Sequence, residues 1–159
     1  VAVRPNMETR QDATREVVRL LHLLGNDRPK VAFLSATESV IPSVPSSVEA
    51  SELAAWAKAE IADADFSGPL ALDLILSPEA VATKKLMNDP VAGQADAIIV
   101  PDIVSGNAIF KSAVYMAGGC AAGIVMGAAV PILLTSRADP PAARMASAAL
   151  AAIVTAANK

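Results

Sequence analysis

Apolar and polar residues alternate along the chain with two periods, one typical of helices and one typical of strands. Over Asp12–Leu24 the apolar positions follow a helical period, and Gly25 directly after them is typical of a helix end. The next segment, Lys30–Ser35, is a short run of strand-forming residues. The sequence therefore predicts a helix followed by a strand near the start of the chain.

Further segments repeat this order. Ser46 lies three residues before Glu49 and Ser77 directly precedes Pro78, so both serines predict helix starts, whereas SGP at 67–69 predicts a turn. Other apolar segments predict strands over 97–100, 121–126 and 131–135 and helices over 108–117 and 140–157. Strands that alternate with helices of this length are typical of an α/β fold, so we expect a largely parallel sheet flanked by helices.

Composition and charge narrow the class of protein. The 159 residues are 53% hydrophobic and 18% charged, which predicts a folded chain, and the net charge of −3 without a basic face argues against nucleic acid as a partner. Two apolar stretches, Ala121–Leu134 and Ala146–Ala157, are shorter than the roughly 20 residues of a membrane span. We therefore expect no membrane partner. We expect both stretches to be buried, and we expect Met145, Leu150 and Ile153 of the last predicted helix to face inward.

The single cysteine and the single histidine exclude several kinds of site. Cys120 cannot form a disulfide within the chain, which favours the cytoplasm, and its apolar neighbours predict a buried side chain. His22 has no second histidine for a metal cluster, and the sequence contains no GxGxxG, phosphate-loop, CxxC or HExxH motif, so we expect no metal site. The first ten residues have neither a signal-peptide layout nor an initiator Met, so we expect the chain to be part of a longer protein.

Candidate chemistry lies where predicted strands end, because open α/β sheets bind ligands at the carboxyl ends of their strands. The strongest candidate is the segment 135–139, which follows a predicted strand and precedes a predicted helix. Arg137 is able to bind phosphate oxygens through two parallel hydrogen bonds, and Ser136 adds a hydroxyl group. An ordinary polar loop with a surface arginine is the open alternative.

Two further strand ends carry polar residues. After the predicted strand 97–100 come Asp102, Gly106 and Asn107, and Lys111 lies one helical turn further on, within reach of an anion. The loop Ser35–Ser47 is longer than most connections, which is typical of functional loops. A turn with an exposed lysine and a plain surface loop are the alternatives at these two places.

Six stretches form an ordered series that covers the chain from about Val31 to its end. They are SATESVIPSVPSS (35–47), GPLALD (68–73), SPEA (77–80), PVAGQAD (90–96), PDIVSGN with Lys111 (101–111) and AAGIVMGAAVPILLTSRAD (121–139). As a set they resemble the phosphate acetyl/butyryltransferase family.

This resemblance implies an architecture and an activity. Family members have two α/β domains with a cleft between them, in a fold shared with the isocitrate and isopropylmalate dehydrogenases, and are commonly homodimers. By similarity, residues 1–127 form the second, dimerising and cleft-forming domain, and residues 128–159 are the strand and helix that return to a first domain that is largely absent here. The implied reaction moves an acetyl or butyryl group between coenzyme A and phosphate by direct attack of the thiol.

The resemblance also implies roles for single residues. Ser136 corresponds to the serine beside the coenzyme A thiol, and Arg137 corresponds to the arginine that holds phosphate or the acyl phosphate. Four residues correspond to the segment that lines the cleft and binds substrate: Asp102, Gly106, Asn107 and Lys111. Coenzyme A is a substrate, and no dissociable cofactor is implied.

Three positions depart from the family pattern. Acetyl-specific members carry an aspartate where this chain has Ala143 and a tyrosine where it has Phe110, and a glutamate is missing between Asp102 and Gly106. These differences favour the butyryl-type or broad-range branch, or a weakened enzyme. They leave the catalytic base unidentified.

Two other classes of function stay open. One alternative is a truncated, non-catalytic dimerisation or ligand-binding module of this family. The missing half of the cleft would carry basic groups that hold phosphate and coenzyme A, so a chain without it would lack part of the substrate site. A dehydrogenase of the shared fold would need aspartates grouped around a divalent metal, and Asp96 and Asp102 alone are a weak basis for that function.

Overall fold

The computed structural model describes residues 2–128 and 130–157. The chain divides after Gly106 into two compact units, which we call unit 1 (up to Gly106) and unit 2 (from Asn107). Its helices and strands are, in chain order, α1 (Met7–Leu23), β1 (Lys30–Leu34), α2 (Pro45–Glu60), β2 (Asp65–Leu70), α3 (Leu72–Leu76), α4 (Pro78–Thr83), β3 (Ala97–Ile99), α5 (Ile103–Tyr115), β4 (Ile124–Val125), β5 (Ile132–Leu133) and α6 (Pro141–Ala157). The helix α5 begins in unit 1 and ends in unit 2.

Unit 1 is built on a sheet of three parallel strands in the order β2-β1-β3. In the central strand, Val31 lies opposite Phe66 of β2 and Ala97 of β3. The rings of Phe33 and Phe66 stack with their centres 6.1 Å apart in a core that also takes in buried residues of α1 and α2. The predicted α/β fold with a parallel sheet flanked by helices is confirmed for this unit.

Strand β2 runs through residues 67–69, so the turn predicted there is wrong. Glycine and proline favour turns locally, but pairing with β1 holds this segment extended. A β-carbon at Gly68 would lie 2.7 Å from Cβ of Phe33 and 3.2 Å from the carbonyl oxygen of Ala50. Glycine is therefore needed because the strand passes close to both β1 and α2.

One predicted helix start is found in the structure, and two others differ from it. Ser77 caps α4 as predicted, because its side chain accepts a hydrogen bond from the backbone of the first turn. The capping box predicted at Ser46 is wrong, since α2 begins at Pro45 and no side chain caps it. Helix α5 begins at Ile103 and not at residue 108. Local signals therefore locate these helices but not always their first residues.

Unit 2 contains the rest of α5, a pair of short strands and α6. Strands β4 and β5 are antiparallel, with Ile124 opposite Leu133, where the sequence predicts longer strands in a largely parallel sheet. The predicted burial is also wrong here, because Cys120, Met145 and Ile153 are exposed. The buried side chains of α6 are Ala143, Ser147 and Val154. Helix α6 therefore packs through a face of small residues. Within the described residues, no helix is both long and apolar enough to cross a membrane.

Candidate functional site

A cavity of about 590 Å³ lies in unit 1 at the carboxyl ends of the three parallel strands, and we call it the sheet-edge cavity. Open α/β proteins bind ligands at this edge, and the volume suits a small organic molecule. The polar side chains that line it come from the N-terminal segment, the ends of β1 and β3 and the starts of α2 and α5: Arg4, Ser35, Ser46, Glu49, Asp102 and Ser105. Two of the three segments that the sequence singles out therefore line one cavity.

Serine side chains fix the loop after β1 against the start of α2. Oγ of Ser35 lies 3.1 Å from Oγ of Ser46. The buried Ser47 hydroxyl accepts a hydrogen bond from the backbone N–H of Ile41 at 2.9 Å and donates to the carbonyl oxygen of Val44 at 2.8 Å. These contacts hold the long loop in place, so that Ser35 and Ser46 line the cavity side by side.

Glu49 brings a carboxylate to the cavity wall and is paired with a buried arginine. The Arg10 side chain on α1 is 2% exposed, the Glu49 side chain is 50% exposed, and Nη1 of Arg10 lies 3.0 Å from Oε2 of Glu49. Nε and Nη2 of Arg10 find no acceptor among the described residues. Burial lowers the pKa of Arg10, and the charge of Glu49 opposes that shift. The buried guanidinium therefore depends on Glu49 for its charge partner.

Asp102 lies at the start of α5 and at the edge of the cavity. Its Oδ1 accepts hydrogen bonds from the backbone N–H of Ser105 at 2.8 Å and from the Ser105 hydroxyl at 3.0 Å. These hydrogen bonds hold the pKa of Asp102 below its ordinary value, and the charge of Arg4 acts in the same direction. Asp102 is therefore ionised near neutral pH and caps the first turn of α5.

The other residues of the predicted cleft-lining segment lie further along α5. Gly106 belongs to unit 1, where an added β-carbon would lie 3.0 Å from a methyl group of Val100. Asn107 and Lys111 belong to unit 2. The ammonium group of Lys111 lies 5.0 Å from the ring centre of Phe110, which is within range of a cation–π contact. Lys111 thus carries its charge beside an aromatic ring.

Ser136 and Arg137 lie in unit 2, in the turn between β5 and α6. The backbone N–H of Ser136 donates to Oδ2 of Asp139 at 2.6 Å, and the Ser136 hydroxyl accepts from the N–H of Ala138 at 3.4 Å. Asp139 therefore closes this turn, and α6 begins at Pro141, one residue after the predicted helix start at 140. Arg137 is exposed at the turn. The turn thus presents a guanidinium group to solvent directly after a strand.

Two charged residues of the sheet-edge cavity escape prediction from the sequence. Arg4 precedes the first predicted helix, and Glu49 looks like an ordinary solvated residue of an amphipathic helix. Their contacts join parts of the chain that are far apart in sequence, so no local pattern signals either residue. Of residues 2–128 and 130–157, no three His, Cys, Asp or Glu side chains are grouped so that they could hold a metal ion.

Comparison with known proteins connects this chain to one family. A family model described as "Phosphate acetyl/butaryl transferase" matches residues 1–152. A phosphate acetyltransferase of Rhizobium meliloti is 40% identical over 153 residues, which are 96% of this chain and 48% of that protein. A probable phosphate butyryltransferase of Bacillus subtilis strain 168 is 40% identical over 150 residues, which are 94% of this chain and 50% of that protein.

A solved structure agrees with these sequence matches. The crystal structure of a branched-chain phosphotransacylase from Enterococcus faecalis V583 is 35% identical and superimposes with a TM-score of 0.88, covering 96% of this chain and 55% of that one. The chain belongs to the phosphate acetyl/butyryltransferase family. It spans about half the length of the curated relatives it matches.

Proposed function

We propose that the intact protein that contains this chain transfers an acyl group between coenzyme A and phosphate. The observation that carries this proposal is the match to the family over residues 1–152. Relatives named as phosphate acetyltransferase and as phosphate butyryltransferase support the same reaction with two acyl chains. The sheet-edge cavity lends further support, because it lies where α/β proteins bind small molecules.

In the proposed reaction the thiolate of coenzyme A attacks the carbonyl carbon of an acyl phosphate. A sulfur–carbon bond forms, the bond from the carbonyl carbon to the phosphate oxygen breaks, and phosphate leaves with that electron pair. No covalent bond to the protein is needed. Catalysis then rests on holding the two substrates together and on stabilising the charge of the leaving phosphate.

The proposed residue roles follow the family pattern. Arg137 binds the phosphate group, and its exposed position after β5 supports this role because a guanidinium pairs well with phosphate oxygens. Ser136 lies next to it and is proposed to contact the thiol. The remaining proposed substrate-binding residues are Asp102, Gly106, Asn107 and Lys111.

The proposed acyl group is butyryl or a short branched or straight chain of similar size. Position 143, which carries an aspartate in acetyl-specific members, is here a buried alanine that is 2% exposed. Phe110 stands where those members have a tyrosine. The thiolate must therefore form without a carboxylate at position 143, and position 110 supplies no tyrosine hydroxyl.

The wider architecture is part of this proposal. We propose that the chain is the second, cleft-forming domain of a two-domain protein with the fold of the isocitrate and isopropylmalate dehydrogenases, and that residues 128–159 return to the first domain. The half-length match supports this division. A homodimer in the cytoplasm is proposed on the family resemblance alone.

The test is the acyl phosphate–dependent loss of free coenzyme A thiol, measured with the intact protein and with the chain of 159 residues. We expect turnover by the intact protein, faster with butyryl phosphate than with acetyl phosphate, and little or none by the chain alone. No thiol loss by the intact protein with acetyl, propionyl or butyryl phosphate would overturn the proposal.

A non-catalytic dimerisation or ligand-binding module is the second candidate function. The observation that favours it is that the chain covers only about half of each curated relative. This candidate predicts that coenzyme A binds in a calorimetric titration while the thiol is never acylated. Turnover by the intact protein would exclude it.

A further inference from the structure

The pair Arg10–Glu49 is unusual because its two ends lie in different surroundings. The guanidinium lies in the protein interior and has no described acceptor for Nε and Nη2, whereas the carboxylate is half exposed and lines the sheet-edge cavity. Burial of an arginine carries a desolvation cost that a single ion pair often fails to offset. Stability alone is therefore a weak explanation for this arginine.

The geometry of the pair does explain how one carboxylate is fixed at the cavity. Arg10 contacts Oε2 of Glu49, which leaves Oε1 available to a ligand. Because Arg10 is buried on α1 and Glu49 stands in the first turns of α2, the contact ties the carboxylate to a second helix. A glutamate at a helix surface otherwise samples several rotamers, so the arginine removes that freedom before a ligand binds.

The charges of the cavity indicate which part of a ligand it suits. Its charged lining residues are one arginine, Arg4, and two carboxylates, Glu49 and Asp102, so the lining is not electropositive. The rest of the wall combines serine hydroxyls with the apolar side chains of Leu34 and Leu72 and of several alanine and proline residues. Such a wall disfavours phosphate groups and suits an uncharged chain that carries hydrogen-bond donors.

We propose that Glu49 binds the amide-bearing pantetheine arm of coenzyme A in the sheet-edge cavity and that Arg10 is the positioning residue that fixes the Glu49 carboxylate there. This inference rests on the proposed function for the identity of the ligand. Pantetheine is uncharged, has amide N–H and hydroxyl donors for Glu49, and has methylene and methyl groups for the apolar wall. The phosphate-rich half of coenzyme A then lies outside this cavity.

The experiment is calorimetric binding of pantetheine and of coenzyme A to the intact protein, without any acyl phosphate. We expect Glu49→Gln and Arg10→Met each to weaken both ligands about tenfold, which corresponds to about 1.4 kcal/mol, as for loss of one charge-assisted hydrogen bond. Glu52→Gln is the matched control, because it makes the same change on α2 at an exposed residue outside the cavity lining, and it should change neither affinity.

Two further variants separate positioning from a purely structural role. Arg10→Met replaces a buried charge by an apolar chain and leaves Glu49 half in solvent, so the variant should unfold within a few degrees of the wild type while its pantetheine affinity falls. Arg10→Lys should restore part of that affinity. The double variant Arg10→Met with Glu49→Gln should be no weaker than Glu49→Gln alone, because both changes remove the same contact.

Several outcomes would overturn this inference. One is weakened binding of coenzyme A with unchanged binding of pantetheine, because Glu49 would then contact the nucleotide half. Another is equal affinity of all variants, and a third is no binding of pantetheine to the wild-type protein, which needs no variant to fold. Because this readout is binding, a protein that binds pantetheine through Glu49 but never acylates a thiol would contradict the proposed reaction and leave this site standing.

Discussion

The two units of the chain use their apolar residues in opposite ways. In unit 1 the aromatic rings of Phe33 and Phe66 and the side chain of Leu53 are buried around a parallel sheet. In unit 2 the apolar residues of β5 and the segment after it are about half exposed, and the buried side chains of α6 are Ala143, Ser147 and Val154. Unit 1 therefore has a core of large side chains within its own fold, and unit 2 packs mainly through small ones.

This difference shows that hydrophobic content alone does not decide which residues are buried. Both units are rich in Ala, Val, Ile and Leu, but unit 1 packs its helices on a three-stranded parallel sheet, whereas unit 2 packs α6 on a sheet of two short strands. Contiguous exposed apolar patches larger than a few hundred Å² often mark surfaces that contact another part of a protein or a partner. Stability measurements on the chain should therefore separate the two units.

The largest expected difference is between two Leu→Ala variants. Leu53→Ala should lower the free energy of unfolding by about 2–5 kcal/mol, because Leu53 is 0% exposed and the change leaves a cavity. Leu133→Ala, at a residue that is 46% exposed, should cost less than about 1 kcal/mol. The measurement is urea unfolding followed by far-ultraviolet circular dichroism, which reports on the helices of both units, and by the fluorescence of the single tryptophan, Trp56, which reports on unit 1. Equal shifts by the two variants would contradict the contrast between the units.

Glycine substitutions test the same contrast through crowding. Gly68→Ala should destabilise unit 1 by about 1–3 kcal/mol, because the added β-carbon would meet Cβ of Phe33 and the backbone of Ala50 in the core. Gly119→Ala in unit 2 would place its β-carbon 3.0 Å from the carbonyl oxygen of Ala113, an exposed residue, and should cost less. Urea unfolding with far-ultraviolet circular dichroism compares the two, and a smaller loss for Gly68→Ala would show that β2 is free to move away from β1.

A helix cap should give a smaller and more local effect. Oδ1 of Asn6 accepts a hydrogen bond from the backbone N–H of Thr9 at 2.9 Å at the start of α1. Asn6→Ala should therefore cost about 1 kcal/mol, as for other lost N-caps. Asn88→Ala, at an exposed loop position, is the control and should change the free energy of unfolding by less than about 0.5 kcal/mol.

The smallest expected effect is a change in acid sensitivity. The hydrogen bond from Lys84 lowers the pKa of Asp73 below its ordinary value, so ionised Asp73 favours the folded state above the unfolded pKa. That contribution is lost as pH falls through the folded pKa, below about pH 4. Asp73→Asn and Lys84→Met should each flatten the acid limb of the stability profile, and the double variant should flatten it no further. If both single variants kept the wild-type dependence of the free energy of unfolding on acidic pH, this ion pair would not contribute to acid sensitivity.

Prediction from sequence succeeds where the signal is local. The helix over Asp12–Leu24, the strand at Lys30–Ser35 and the cap at Ser77 are all found in the structure, because periodicity, glycine and capping residues act over a few positions. The extended run at 67–69 is not predicted, since its partner β1 lies more than 30 residues away and outweighs the turn preference.

For the candidate site too, prediction from sequence succeeds only where the signal is local. The strand ends that carry Ser35 and Asp102 are visible in the sequence because they follow apolar runs, and the structure places both residues at the sheet-edge cavity. The contact of Arg10 with Glu49 joins residues 39 positions apart on two helices, and each looks like a solvated residue when its own helix is considered alone. Only tertiary packing shows that one of them is buried.

The role proposed for Arg137 is to bind the phosphate group during acyl transfer by the intact protein. The most direct measurement is the rate of acyl-CoA formation from acyl phosphate by the intact protein, with wild-type Arg137 and with Arg137→Ala. We expect a loss of about 100- to 1,000-fold in kcat/KM for Arg137→Ala, as when a charge-stabilising donor is removed from an active site. Arg144→Ala changes an exposed arginine on α6 that donates to the carbonyl oxygen of Asp139, and this variant should stay within about threefold of the wild type. Wild-type turnover by Arg137→Ala would contradict the proposed role of Arg137.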